Sequence, residues 1–413
     1  MINEDKLTEN DSLNREIFVK SVINLINKIN TGVIAIDGEW GVGKSWVGKN
    51  IENILTIDSK HKTVWIDTFE EDWENDPTLS IISGIASQLE KSNKELFIEK
   101  CLPLLTKLIP EAIKWALNLT GTSLDIDSKV ISIVADAASQ SSQSALTKKI
   151  ESINDRKKTI GYLKELISTN ITSLNKKVVI FVDELDRCSP KYAVQYLERL
   201  KHIFNIPNVI FVLLWNRQQI TNTVKAFYGG ETDGQMFLDK FIDFPMRLNV
   251  CGPKLASEPM RHLVNNHLNS FELSFANEIQ NNINEIVFIA SVLNLNARQT
   301  IRLLNLFALY TNKISPFFEI WLLGIKFKYP ELFSKLIQKD NQVHSDLIEV
   351  INKYSQLHGK TKSVYETDLI IFHTDFQNNN FLNLEKLCQK YNLSTQALPS
   401  TIDSIIRRIE TSF

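Results

Sequence analysis

The chain of 413 residues has four cysteines, Cys101, Cys188, Cys251 and Cys388, and no two of them form a C-x-x-C pair. That spacing argues against a zinc site or a disulfide framework and fits a reducing compartment. The histidines, including His262 and His267, also lack metal-ligand spacing. Excess charge of one sign is missing as well. With 46 basic and 48 acidic residues the formal net charge is -2, so no global basic field draws the chain to nucleic acid or an acidic membrane, although a local patch remains open. The first residues, Met1-Ile2-Asn3-Glu4-Asp5-Lys6, are polar and acidic, which argues against a secretory signal. Long clean apolar runs are absent too. Leu102 to Leu119 contains Lys107, Glu111 and Lys114 with Pro103 and Pro110, and each charge opposes a mid-bilayer position by about 2.5 to 3.5 kcal/mol. Val130 to Ala138 is too short to span and carries Asp136. The expectation is a cytoplasmic protein without membrane attachment.

What is present is ordinary for a globular protein: 43% hydrophobic and 23% charged residues. The length favours two domains. The pattern predicts an α/β nucleotide-binding domain over 1–248, with a helical insertion at about 100–150, and a helical C-terminal domain over 249–413. The insertion carries the small polar patch Ser139-Gln140-Ser141-Ser142-Gln143-Ser144, and reads equally as a docking surface or a spacer.

The most informative stretch is Gly38-Glu39-Trp40-Gly41-Val42-Gly43-Lys44-Ser45, followed by Trp46. It fits G-x-x-x-x-G-K-S/T, the phosphate-binding loop. Val33 to Ile36 before it reads as a buried strand, and Val42 to Leu55 after it has helical spacing. Glycines let backbone N–H groups surround phosphate oxygens, and the following helix turns its positive end to the same anion. Lys44 is the candidate for the β- and γ-phosphates, and Ser45 the candidate ligand of Mg²⁺. Thr63 to Phe69 reads as a second buried strand, and the acidic run Glu70 to Glu74 after it as a solvated loop.

Val178-Val179-Ile180-Phe181-Val182-Asp183-Glu184 is an apolar run that ends on two acids, as a strand buried on both faces of a parallel sheet reads when it carries a Walker B motif. Asp183 is then placed to hold Mg²⁺, and Glu184 to orient and deprotonate water. An acidic pair can also cap a strand without chemistry; the upstream phosphate loop favours the catalytic reading. Asn208 to Trp215 is a further buried strand. Asn216 at its end is either a polar group near the γ-phosphate or a turn former. No Asn/Thr-Lys-x-Asp guanine-reading motif follows, so ATP is favoured over GTP. Near Asn294 to Asn305 an Asn-capped helix places Arg298 and Arg302 one turn apart on one face. They are either solvated or a means of reaching phosphates from a helical lid.

Gly38-Glu39-Trp40-Gly41-x-Gly43-Lys44-Ser45 and Asp183-Glu184-Leu185-Asp186-Arg187-Cys188 resemble the G-E-W-G-x-G-K-S and D-D/E-L-D-R-C motifs of the KAP family of P-loop NTPases. The likeness extends to Leu238 through Ile242 and Arg298 through Asn305. It implies a parallel P-loop sheet with an extra strand between the Walker A and Walker B strands, bound ATP and Mg²⁺, and hydrolysis assisted by Asp183 and Glu184. Two departures stand out: the insertion lacks the transmembrane helices that many members carry there, and Asn216 stands where an aspartate is common. Bacterial members are often implicated in phage exclusion. The resemblance therefore implies an ATPase switch or assembly subunit of a defence complex, as a homo-oligomer or beside co-encoded effector proteins. An ATP-binding scaffold with negligible turnover and a nucleic-acid motor are the alternatives.

Overall fold

The computed structural model describes residues 15–72, 76–109, 145–248, 253–268, 273–309, 315–340, 342–358 and 363–378, with a few isolated residues outside those ranges. Contacts divide the chain into two compact units, one containing Glu16–Leu248 and the other Asn249–Phe413.

The first unit is a parallel sheet between helical layers. Its strands are β1 (Gly32–Asp37), β2 (His61–Asp67), β3 (Lys177–Asp183), β4 (Val209–Trp215) and β5 (Phe244–Arg247), in the spatial order β2-β3-β4-β1-β5. Every pairing is parallel. All seven residues of β4 are buried, as are six of seven in β3. This is why both read as unbroken apolar runs rather than alternating ones.

Register separates the two faces. Trp65, Phe181, Val212 and Ile34 lie in one row across the sheet, and Ile66, Val182, Leu213 and Ala35 in the next. Helix α1 (Glu16–Lys28) packs on α2 (Lys44–Ile57), and α2 covers the first face at Gly48, beside Trp65 and Leu214. The other face is covered by α4 (Pro77–Ser87), α5 (Lys91–Leu108), α6 (Ala145–Ser173), α7 (Pro190–His202) and α8 (Arg217–Tyr228). The short α3 (Thr68–Glu71) leads from β2 towards that layer, and α9 (Gly234–Leu238) precedes β5. At the amino edge, Lys177 at the start of β3 donates from Nζ to the carbonyls of Ile26, Asn27 and Ile29, at 3.2, 2.9 and 2.6 Å. A cation there closes the orphan carbonyls at the end of α1.

The expected insertion falls mostly outside the described residues. Its first part is described, and it is no separate module. Helix α5 begins at Lys91 and buries Phe97, Ile98, Cys101, Leu102 and Leu105 in the main core. Helix α6 begins at Ala145, within the last residues of the expected insertion. No described helix is long and apolar enough to cross a membrane.

The second unit is helical: α10 (Pro253–Leu268), α11 (Leu273–Asn281), α12 (Ile283–Val292), α13 (Ala297–Leu309), α14 (Pro316–Lys328), α15 (Pro330–Ile337), α16 (Gln342–His358) and α17 (Val364–Asn378). Nine consecutive residues of α14, Phe317 to Ile325, are buried. A helix buried on every side is a core helix; apart from Glu319 its buried residues are apolar or glycine, and several neighbours are aromatic. Phe317 stacks on Tyr391 with ring centres 4.8 Å apart, and Phe318 lies 4.6 Å from Phe372. Within this core the Trp321 indole N–H donates to His373 Nε2 at 3.0 Å. An indole nitrogen only donates, so His373 carries its proton on Nδ1 and donates to His344 Nδ1, also at 3.0 Å.

Candidate nucleotide site

The loop between β1 and α2 lies at the carboxyl end of β1, beside β4 and with β3 beyond it. That is the edge where ligands of open parallel sheets bind. Gly41 and Gly43 adopt φ of 80° and 96°, left-handed values that strain any side chain. The loop therefore needs glycine at both. Lys44 is the first residue of α2 and is buried. Its Nζ donates to the carbonyls of Gly38 at 2.9 Å and Glu39 at 3.1 Å, closing the loop on itself. Burial pushes the Lys44 pKa down, while Asp186, Asp183, Glu184 and Asp37, in that order, hold its charge in place. Glu39, Trp40 and Ser45 are exposed, Val42 is buried, and Trp46 is half-buried.

Asp183 ends β3. Its backbone carbonyl accepts from Thr68 Oγ1 at 2.6 Å, fixing the strand end against β2's exit. The Glu184 N–H donates to its Oδ1 at 2.9 Å, and the nearby Ser45 side chain favours its charged form. Burial outweighs both and raises the Asp183 pKa. Glu184 has φ of 61° and ψ of 18°, a conformation that costs a residue other than glycine on the order of 1 kcal/mol. Its carboxylate is paired with Arg187 Nε at 2.5 Å. Burial, and then the neighbouring Asp183, push the Glu184 pKa up.

Asn216 follows β4, and its side-chain oxygen accepts from Gln219 N–H at 3.3 Å, capping α8. Arg217 N–H donates to Asp37 Oδ1 at 2.8 Å, and its guanidinium pairs with Asp239. In the second unit, α13 opens with a reciprocal cap: Asn296 Oδ1 accepts from Gln299 N–H at 2.9 Å, and Gln299 Oε1 accepts from Asn296 N–H at 3.0 Å. Arg298 and Arg302 are exposed on that helix, and the Arg302 guanidinium lies 4.9 Å from the centre of the Phe327 ring.

Lys44, Ser45, Asp183 and Glu184 are thus brought to one sheet edge by elements that lie far apart in the chain. Residues 15–314 match the KAP family P-loop domain. The chain belongs to that family. The KAP match runs through α13, so Arg298 and Arg302 fall within it. Over 233 residues the chain is 24% identical to the phage T7 exclusion protein of Escherichia coli K12, a match covering 53% of this chain and 30% of that relative's length. The chain thus spans less than a third of that relative. A Walker-type ATPase of Pyrococcus abyssi overlaps 89% of this chain and 90% of its own, at a TM-score of 0.37 and 11% identity. That agreement is too loose to bear on the site.

Three contributors have partners that the sequence did not reveal, although Asp186 and Arg187 belong to the second motif. Asp186 accepts the Trp40 indole N–H at 2.7 Å and the Asn216 N–H at 3.0 Å, both on Oδ2. Asp37 receives Arg217, and Arg187 holds Glu184. A carboxylate's partner is set by register and turn geometry, which one-dimensional spacing does not contain. The pairing of Asp186 with Trp40 spans 146 positions.

Proposed function

We propose that this chain is a Mg²⁺-dependent ATPase whose nucleotide state controls assembly, as a homo-oligomer or with a co-encoded effector, in a cytoplasmic antiphage complex. The observation that carries the reading is the juxtaposition of Lys44, Ser45, Asp183 and Glu184 at one edge of the sheet. Phage exclusion enters through the named relative alone.

The residues fit the groups they would bind. The buried Asp183 carboxylate and the Ser45 hydroxyl offer two hard oxygen donors. Mg²⁺ favours one or two such protein ligands with phosphate oxygens filling the rest. Ser45 and Asp183 would hold the ion, which supplies neutralisation of charge on the transferring phosphoryl group. Lys44, whose Nζ now donates to the Gly38 and Glu39 carbonyls, would donate to β- and γ-phosphate oxygens when nucleotide is bound. Glu184 orients a water and takes its proton, which requires its carboxylate to part from Arg187.

The test separates ground-state binding from turnover. Lys44→Ala should weaken nucleotide binding. Glu184→Gln should leave binding intact and lower turnover by roughly a hundredfold to ten-thousandfold. Equal loss of binding in both variants contradicts the assignment. A second reading, an ATP-binding scaffold, draws on the engagement of Glu184 by Arg187. Tight binding with no turnover, alone or with partners, selects it. Mass photometry with and without ATP and Mg²⁺ tests whether assembly follows nucleotide.

A further inference from the structure

We propose that Trp40 and Asp186 form a tie between the two nucleotide motifs that sets the phosphate loop against the Walker B turn, and that both are positioning residues. The inference rests on the ATPase reading above. Asp186 lies three residues beyond Asp183, in the turn Leu185–Arg187, and is 4% exposed. A carboxylate so placed needs donors, and its Oδ2 receives two from different elements: the Trp40 indole at 2.7 Å and the Asn216 backbone at 3.0 Å.

The geometry makes the loop a span fixed at both ends. Its root, Asp37, is held by Arg217 N–H at 2.8 Å, and its apex, Trp40, is held through Asp186 to the neighbouring residue Asn216. Both attachments converge on the junction of β4 and α8, and β4 is the strand that separates the loop's strand from that of Asp183. Tilting the loop relative to Asp183 would break one of them. Tryptophan suits this role because its ring carries one N–H donor on a long rigid arm with two rotatable angles. Trp40 nevertheless leaves 45% of its surface exposed, so burial of the ring does not account for its placement.

Phenylalanine separates the N–H from the ring. Trp40→Phe keeps an aromatic surface on which a base could stack but lacks the donor. We expect turnover to fall about tenfold to a hundredfold, as for a catalytic group displaced by about 1 Å, with the nucleotide Kd changed less than about threefold. Asp186→Asn retains an acceptor oxygen but loses the charge beside Lys44, and should keep at least about threefold more turnover than Asp186→Ala. Asp186→Ala should lose as much as Trp40→Phe, and the double variant Trp40→Phe/Asp186→Ala no more than either alone.

A readout independent of turnover is the Trp40 indole N–H in ¹H–¹⁵N spectra of the full chain without nucleotide. It should be protected from solvent exchange in wild type and Asp186→Asn, and unprotected in Asp186→Ala. Full turnover in Trp40→Phe, additive losses in the double variant, or Asp186→Asn as impaired as Asp186→Ala would overturn the tie; the last result would assign Asp186 to holding the Lys44 charge instead. If wild type hydrolyses no ATP, the ATPase reading fails by itself. The indole protection then decides whether the tie exists, and an unprotected wild-type indole removes it.

Discussion

Adding one carbon atom at Gly48 should loosen the whole nucleotide unit. A Cβ there would stand 2.4 Å from Leu214 Cδ1 and 3.0 and 3.2 Å from two atoms of the Trp65 ring. Ordinary contact begins near 3.4 Å, so α2 or Leu214 must retreat by about 1 Å. Leu214 has no room to do so, because it is fully buried in the central strand. Trp65 is stacked on Phe181 at 5.7 Å, with Lys49 Nζ 3.5 Å from its ring. Overpacking of this kind costs about 1 to 3 kcal/mol, whereas alanine gains about 1 kcal/mol over glycine in a helix. Packing should win by about 1 kcal/mol in Gly48→Ala and by about 2 kcal/mol or more in Gly48→Val, whose branched side chain adds volume without alanine's propensity. Because α2 begins at Lys44, the same displacement should weaken nucleotide binding. Hydrogen exchange of β1 and β4 peptides across a urea series reads the stability of this unit separately from the helical one, and a nucleotide titration reads the site. A Gly48→Ala chain as stable as wild type or more so, with unchanged nucleotide affinity, would show that α2 is not pressed against the sheet.

In the helical unit, burial drives the pKa of His373 well below its ordinary value and lowers that of His344. A depressed folded-state pKa means that the unfolded chain binds the extra proton first, so this unit should be most stable above about pH 6.5 and lose up to roughly 1.4 kcal/mol per pH unit for each histidine below it. Melting curves of wild type and His373→Gln between pH 7.5 and 5.5 check this; an equal acid sensitivity in both would assign the effect elsewhere. Asp76 both caps α4, accepting from Thr78 N–H at 2.8 Å, and pairs with Arg199 at 3.2 Å. Asp76→Ala should destabilise the nucleotide unit by about 1 to 3 kcal/mol, and Asp76→Asn, which keeps the cap, by about half as much. Denaturant midpoints rank the two, and equal losses would leave the cap without weight.

The strands and the phosphate loop were legible because their causes are local. Buried parallel strands must be apolar on both faces, as Val178 to Val182 and Val209 to Trp215 are, and a backbone turned left-handed at residues 41 and 43 selects glycine. The Asn cap before Arg298 was equally local, and its partner Gln299 lies three residues on. The start of α6 was less so: residues 145 to 150 fall within the stretch read as an insertion. The distribution of partners among Asp37, Asp183, Glu184 and Asp186 could not be read at all. Four carboxylates and several donors can be matched in many ways, and only the order β3-β4-β1 brings Trp40 to Asp186 and Arg217 to Asp37. The close approach at Gly48 belongs to the same class, since it depends on two strands and a helix at once.

The strand order also sets a schedule for synthesis. β1 is the first strand of the described sheet to be made, yet its two neighbours, β4 and β5, are the last of that sheet, with Gly32 beside Ile210 and Ile34 beside Phe244. At roughly 5 to 20 residues per second on the ribosome, β1 waits on the order of ten to forty seconds for its partners. During that interval its apolar residues and the C-terminal carbonyls of α1, which Lys177 will close, remain without their final contacts. The edge pair β2 and β3 is complete earlier and can form first. The phosphate loop, rooted in β1, therefore takes its shape only when the unit is nearly finished, and the nascent chain has no nucleotide site to offer until β4 and the turn after it have left the exit tunnel.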